Sequence, residues 1–266
     1  MRTLQHTGGL FQRLHQKTVH TPPELTTLRP EEVPPELLPR VRRTWQERAQ
    51  SEFRSIQILT RFLTEVVGSG DPLEVYAGAV EAVEDEVRHT ALCAAVCEAL
   101  GAPVLLPTPL PLLDPEGFLK APMPERALAT ALTMLCINET LSVGYIEDLR
   151  ARCTQPGLRA VLDTTLADED EHGDYGWAYA EVSLQRFPAS TRKDWRHLVA
   201  QTLAPHQEQA RRVLADVPQA LRALEAHPEP ELSHWGILGP VRQALVFERT
   251  FQERVAPRLR KLELLG

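Results

Sequence analysis

Twice in this chain an Asp-Glu pair is followed, three residues after the Glu, by a His: Asp85-Glu86-Val87-Arg88-His89 and Asp168-Glu169-Asp170-Glu171-His172. On a helix each Glu and its His stand one turn apart, about 4.5 Å along the axis, so both side chains can reach one point. One such pair is common on a solvated face. Two, each answered by a lone acid one helix earlier, constrain the fold far more. Glu52 precedes Glu86 by 34 residues and Glu139 precedes Glu169 by 30. That is the length of ~15 residues up one helix, a tight turn and ~15 residues back. All six groups then lie at one level of a set of antiparallel helices.

The apolar pattern supplies those helices. From Pro39 onward Val41, Trp45, Ala49, Glu52, Ile56, Leu59, Leu63 and Val66 recur at intervals of three and four, with Glu52 the one charge in the stripe. A Gly-Ser-Gly-Asp-Pro stop at 68–72 ends this helix, and Asp71 reads as the cap of a second that runs to Leu100 before Gly101. The stretch 102–124 holds seven prolines and reads as a crossover from one end of the helices to the other. A third helix is expected over about 125–153, placing Glu139 between Leu135, Cys136 and Val143, and a fourth over about 158–186 before Pro188. Upstream, Pro22, Pro23, Pro30, Pro34, Pro35 and Pro39 favour an extended arm over 1–40. Downstream, amphipathic helices are expected over 191–203, 205–226 and 239–265, packed on the rest. The division is thus an N-terminal arm (1–40), a four-helix unit (41–187) and a C-terminal helical extension (188–266), all-α throughout.

Composition agrees. Of 266 residues 43% are apolar and only 6% aromatic, and Ala, Leu, Glu, Gln and Arg recur where a sheet protein would carry Val, Ile, Thr and Tyr. The net charge is −7, with no block of Lys and Arg clear of balancing acids, so no nucleic-acid footprint is visible. No run approaches the roughly 18 apolar residues of a membrane span, and the first residues lack the apolar core of a leader. Cys93, Cys97, Cys136 and Cys153 are scattered on helical segments without a CxxC, which suits reduced thiols and a cytoplasmic location.

A carboxylate on an apolar helix face is costly to bury unless it is paired or binds metal. Four Glu and two His, arranged Glu, Glu-x-x-His, Glu, Glu-x-x-His, are the donor set of a di-iron or di-manganese carboxylate site. An exposed acidic stripe explains Glu81, Glu84 and Glu86 but not Glu52 and Glu139. The oxygen-rich set suits iron first and manganese second, ahead of zinc.

Over about residues 40–187 this order resembles the ferritin-like superfamily, which includes bacterioferritins, ribonucleotide reductase small subunits, acyl-carrier desaturases and bacterial hydrocarbon monooxygenases. The resemblance implies an antiparallel four-helix bundle with a long crossover and two iron ions held by Glu52, Glu86, His89, Glu139, Glu169 and His172. It also implies that Asp85 and Asp168 orient the metal-bound imidazoles. Cys93 stands where reductase small subunits place a radical-bearing Tyr and some hydrocarbon monooxygenases have Cys, and Cys136 lies one turn before Glu139. As small buried hydrophobes, both thiols need no further explanation.

The chain departs from its relatives at Val143, where monooxygenases tend to carry a Thr that Thr140 or Ser142 would have to replace. It departs again at Thr165, where the N-oxygenating branch has a third His. The stretch His234-Trp235-Gly236-Ile237-Leu238 and the long helix after it resemble bacterial ferritin-like proteins and imply no substrate. Glu147 points toward an access channel or an Arg partner. Trp177, near His172, is placed for packing or for an electron path. The function expected is an O2-activating oxidoreductase acting on a small organic substrate, with a reductase or ferredoxin as electron donor and a homodimer among the assemblies allowed. A ferroxidase or iron-handling role and peroxide scavenging use the same ligands. The flanking 40 and 80 or so residues weigh against a cage.

Overall fold

The computed structural model describes residues 2–3, 8–19, 23–106, 117–222 and 227–265, and the side chains of Asp170 and Glu171 are excluded. Residues 107–116 of the proline-rich crossover therefore lie outside the described residues. Among the described residues the protein is all-α apart from two short strands, β1 (Arg2–Thr3) and β2 (Leu105–Leu106), which pair antiparallel.

Four long helices carry the candidate residues: α2 (Leu38–Ser69), α3 (Leu73–Ala99), α4 (Met123–Arg152) and α5 (Pro156–Leu184). They follow α1 (Gly9–Val19), which packs on α3. α2 contacts α3 along its length and also packs on the first turns of α4, while α5 packs on both α3 and α4. Each helix therefore has two of the other three as neighbours. The α2–α3 reversal is made by Gly70 at φ 70°, a left-handed C-cap that a Cβ would strain. Gln155 starts α5, its side chain accepting from the Leu158 N–H.

The residues buried on α2 are Val41, Trp45, Ala49, Ser55, Leu59, Phe62, Glu65 and Val66. Ile56 and Leu63, expected in the stripe, are only half-buried. Glu65 is a second charge on that face, which the apolar pattern did not reveal. It is satisfied by Thr130 Oγ1 (2.7 Å), Arg126 and Arg61. Asp71 does not cap α3. It turns inward to accept from the Tyr179 hydroxyl (3.0 Å) and from Arg186, which ties the α2–α3 turn to the end of α5.

Within α4 the backbone widens to π-helical hydrogen bonding over Ala131–Asn138, immediately before Glu139. Gly176 on α5 makes this possible on its side, since a Cβ there would lie 2.5 Å from Leu135 Cβ and 2.9 Å from its carbonyl carbon. α4 is, among the described residues, the one helix long and apolar enough to cross a membrane, yet 78% of its most apolar stretch is buried inside the protein. It is a core helix here.

The arm is less extended than its prolines suggest. Residues 9–19, upstream of the first proline, form α1, and only 23–37 run extended with one 3-10 turn at Pro30–Glu32, burying Leu28, Val33 and Leu37. Downstream, α6 (Arg192–Ala215) passes through Pro205 without a break. Pro205 lies on the exposed face, so the Gln201 carbonyl it leaves without an N–H partner faces water. α7 (Val217–Arg222) and α8 (Glu229–His234) are short. The last helix, α9 (240–261), packs on α4 and α6, and Asp148 of α4 accepts from Arg242 (2.8 Å) and Arg152 (3.1 Å).

Candidate metal centre

The pattern of burial and pairing separates two kinds of inward-facing acid. Glu65, Asp71 and Asp148 are buried and each has a guanidinium partner. Glu52, Glu86, Glu139 and Glu169 also converge in the interior, and among the described residues none of them has a Lys or Arg within ion-pair distance. Only Glu52 keeps appreciable exposure. Such a cluster is unfavourable unless protons or cations occupy it.

Two groups of ligand atoms form within it: Glu52, Glu86 and His89, and Glu86, Glu169 and His172. In each group the atoms lie within 4.8 Å of one another. Glu86 belongs to both. Glu139 faces the same cluster, its carboxyl held well above the usual range by burial and then by the charges of Glu169, Glu86 and Glu52. Burial and the Glu86 carboxylate likewise raise Glu52 well above that range, and burial raises Glu86.

The imidazoles are oriented from outside. His89 Nε2 lies 3.2 Å from Asp168 Oδ2 and His172 Nε2 lies 2.8 Å from Asp85 Oδ2. The aspartates are crossed: each serves the His of the opposite helix. With Nε2 engaged, Nδ1 of both rings points at the carboxylates, at 3.3 Å from Glu169 to His89 and 3.4 Å from Glu169 to His172. Those two nitrogens, with Glu86 Oε2 and Glu169 Oε2, are buried and without a hydrogen-bond partner. Four orphaned ligand atoms in one cluster, the two imidazoles held from their other nitrogens, are what bound cations would complete.

Electrostatics agree. Burial by itself would lower His172, but the hydrogen bond to Asp85 and the nearby Glu169 carboxylate outweigh it and push it up to about 10, and His89 is raised in the same way by Asp168 and Glu86. The metal-free cluster thus holds its positive charge as imidazolium. Asp168, opposed by partial burial, is lowered by His89 and Arg88.

Arg88 was not singled out by its sequence position. Its Nη1 lies 2.6 Å from Asp85 Oδ1 and 2.6 Å from Asp168 Oδ2, and its Nε donates to the Thr18 carbonyl at the end of α1 (3.2 Å). One guanidinium thus clamps both aspartates that hold the histidines. The available signal was its place three residues after Asp85, on the same helix face.

The two thiols part company. Cys93 borders the cluster, its pKa driven well up by burial and then by the Glu52 carboxylate. Cys136 instead packs with Leu132, Trp177 and Phe247 against the C-terminal helices. The π-helical turns between it and Glu139 change the angular relation that an α-helix would give them.

Two clefts reach the cluster from different sides. One, about 490 Å³, is lined by Thr140, Val143 and Glu169 at its floor and by Glu147, Arg254 and Arg258 nearer solvent. Glu147 is paired with Arg254 (2.7 Å), and Thr140 Oγ1 accepts from Trp177 Nε1 (3.1 Å). The other, about 530 Å³, opens onto Glu52 between α2, Ser142 and Tyr145 of α4, and the segment at Ile237–Leu238. Thr165 is turned to the Val161 carbonyl. Of the histidines outside the cluster, His206 meets Asn138 and Phe247, His227 meets Glu231 and His234 meets Thr154, none in a metal-like group among the described residues.

No family model, no curated protein and no solved structure matches the chain. What the molecule shows by itself is an all-α protein with interior carboxylate and histidine groups able to hold metal.

Proposed function

We propose that α2 to α5 form a ferritin-like four-helix bundle whose centre holds two iron ions, and that the protein is a cytoplasmic O2-dependent oxidoreductase acting on a small organic molecule. The observation that carries this reading is the set of four orphaned atoms, Glu86 Oε2, His89 Nδ1, Glu169 Oε2 and His172 Nδ1, enclosed by four carboxylates that lack guanidinium partners. Glu52, Glu86 and His89 would hold one ion, Glu139, Glu169 and His172 the other, with Glu86 shared between them. Four carboxylates and two imidazoles suit iron, with manganese as the alternative.

A pair of ferrous ions held by these residues would supply two electrons to O2. In the oxygenase form of the reaction one oxygen atom enters a substrate C–H bond and the other leaves as water. Two protons would complete the water, and a reductase- or ferredoxin-class donor would return the two electrons that restore the ferrous pair. The chain's own contributions are positional. Arg88, Asp85 and Asp168 fix the histidine rings, and the α4 and α5 walls exclude bulk water. Thr140 Oγ1, already accepting from Trp177, keeps its own O–H to donate to a molecule in the cleft beside Glu169. The apolar and polar clefts favour a substrate-oxidising role over iron storage.

The test is anaerobic loading with Fe(II) followed by mixing with O2. Two irons per chain, oxidised without mineral growth, are expected. Iron accumulating far beyond two would make this a storage protein, and no binding would end the metal reading. Glu139→Ala and His172→Ala should each lower the stoichiometry while leaving far-UV circular dichroism unchanged.

A further inference from the structure

The cleft that opens onto Glu52 contains a guanidinium with nothing to do. Arg48 lies one turn before Glu52 on α2, half-buried, its Cζ stacked 4.9 Å from the centre of the buried Trp45 ring. Among the described residues it makes no hydrogen bond and no ion pair, not even with Glu52, its neighbour one turn on. Many of the other interior-facing arginines are paired. Arg42, Arg88, Arg126, Arg186, Arg242 and Arg254 all donate to a protein oxygen. Burial lowers the Arg48 pKa from its ordinary value, and the nearby Cys93, Glu52 and Cys153 offset this only in part.

The surroundings define what would match it. Arg43 and Arg40 line the same cleft about one and two turns nearer the start of α2, so three cations share it with Glu47 and Glu52. A bound metal pair would offset the charge of Glu52. The opposite wall is Tyr145, Ile146, Ile237 and Leu238, an apolar surface. The volume, about 530 Å³, lies in the ~300–1,000 Å³ range of small-molecule sites. A planar guanidinium with free donors recognises a carboxylate through two parallel hydrogen bonds. One such group with an apolar wall suits a single anionic head on an apolar body.

We infer that this cleft takes small organic carboxylates as the substrates of the adjacent site, with the carboxylate held by Arg48 and the hydrocarbon part lying along Tyr145, Ile146 and Leu238. The inference rests on the proposed function for the word substrate and on the cleft alone for the binding. It assigns Arg48 to binding, with no part in the redox step.

Octanoate and octanamide, which share a hydrocarbon chain and differ in charge, are the probes. Each is titrated by calorimetry into the metal-loaded protein under argon. The wild-type protein should bind octanoate and discriminate against octanamide. Arg48→Gln should weaken octanoate roughly 10- to 100-fold, the range of a lost charge-assisted pair, while leaving octanamide unchanged. Leu238→Trp, which fills the cleft and leaves Arg48 in place, should weaken both ligands and serves if Arg48→Gln does not fold. Equal binding of the two probes, or octanoate binding indifferent to both substitutions, overturns the inference. Iron counted on the same samples separates the two claims. Two irons per chain without selective octanoate binding sinks this inference alone. Selective octanoate binding by a protein that takes up no iron sinks the proposed function, and with it the description of the ligand as a substrate.

Discussion

Arg88 shows how one side chain can govern two imidazoles it never touches. It binds Asp85 and Asp168, which in turn hold His172 and His89. Removing its charge should let both rings turn. Arg88→Gln is expected to lower affinity for Fe(II) by about 10- to 100-fold, the usual effect of deleting such support, without changing helicity. Competition against a chelator measures it, and undiminished affinity would show that the aspartates orient the rings unaided. The sequence made Asp85 and Asp168 visible because each precedes a Glu-x-x-His. It could not show that each Asp crosses to the other helix, because that depends on how α3 and α5 face each other. For the same reason the inward roles of Glu65, Asp71 and Asp148 did not show, since they are completed by partners distant in the chain: Thr130 and Arg126, Tyr179 and Arg186, and Arg242.

At the scale of elements, the hydrophobic period located α2 to α5 within a few residues but missed the π-helical stretch Ala131–Asn138, since apolar residues there face partners nearly all round and leave no period to read. Its tight packing on Gly176 makes a direct prediction. Gly176→Ala would force a methyl to 2.5 Å from Leu135 Cβ and toward its backbone, and overpacking of this kind should destabilise by about 1–3 kcal/mol, measured by urea denaturation. An unchanged midpoint would mean that α4 and α5 can part locally at no cost. Pro205 carries the opposite expectation. Because α6 continues through it on an exposed face, Pro205→Ala should restore the Gln201 hydrogen bond and stabilise by about 1–3 kcal/mol. A lower melting temperature in that variant would show that the proline has a structural role. Reading a break at Pro205 failed because a proline's cost in a helix is a few kcal/mol, which packing of Trp195, Val199, Leu203 and Ala210 against the core can outweigh.

For the molecule as a whole, pH and metal should act on stability together. His172 and His89 have folded-state values raised above 6.5, so the stability they contribute to the metal-free fold is complete below that pH and is lost as pH rises, for His172 through about 10. Glu52, Glu86 and Glu139 are raised as well, so the metal-free fold favours their acid forms and weakens as pH climbs from 4.5 through their folded values. Both sets act in the same direction. Metal needs the deprotonated ligands, so its stabilisation grows where the metal-free fold weakens, by roughly 1.4 kcal/mol per pH unit for each proton displaced. The gap in melting temperature between metal-loaded and chelator-treated protein should therefore widen from pH 5.5 to 8.5. A gap that stays constant or narrows would show that binding displaces no protons from these groups.

What the sequence determined by itself was local in origin: helical periods, the stop at Gly68–Pro72, and the repeated spacing of Glu52, Glu86, His89, Glu139, Glu169 and His172. Periodicity and spacing are properties of a chain that needs no partner to express them. Only the tertiary structure decided which buried acids meet a guanidinium and which meet one another, that Arg88 clamps two helices, that Cys93 but not Cys136 borders the carboxylates, and that Arg48 is left unpaired in a cleft. Each of these turns on contacts between residues far apart in sequence, set by helix rotation and packing that no single segment encodes.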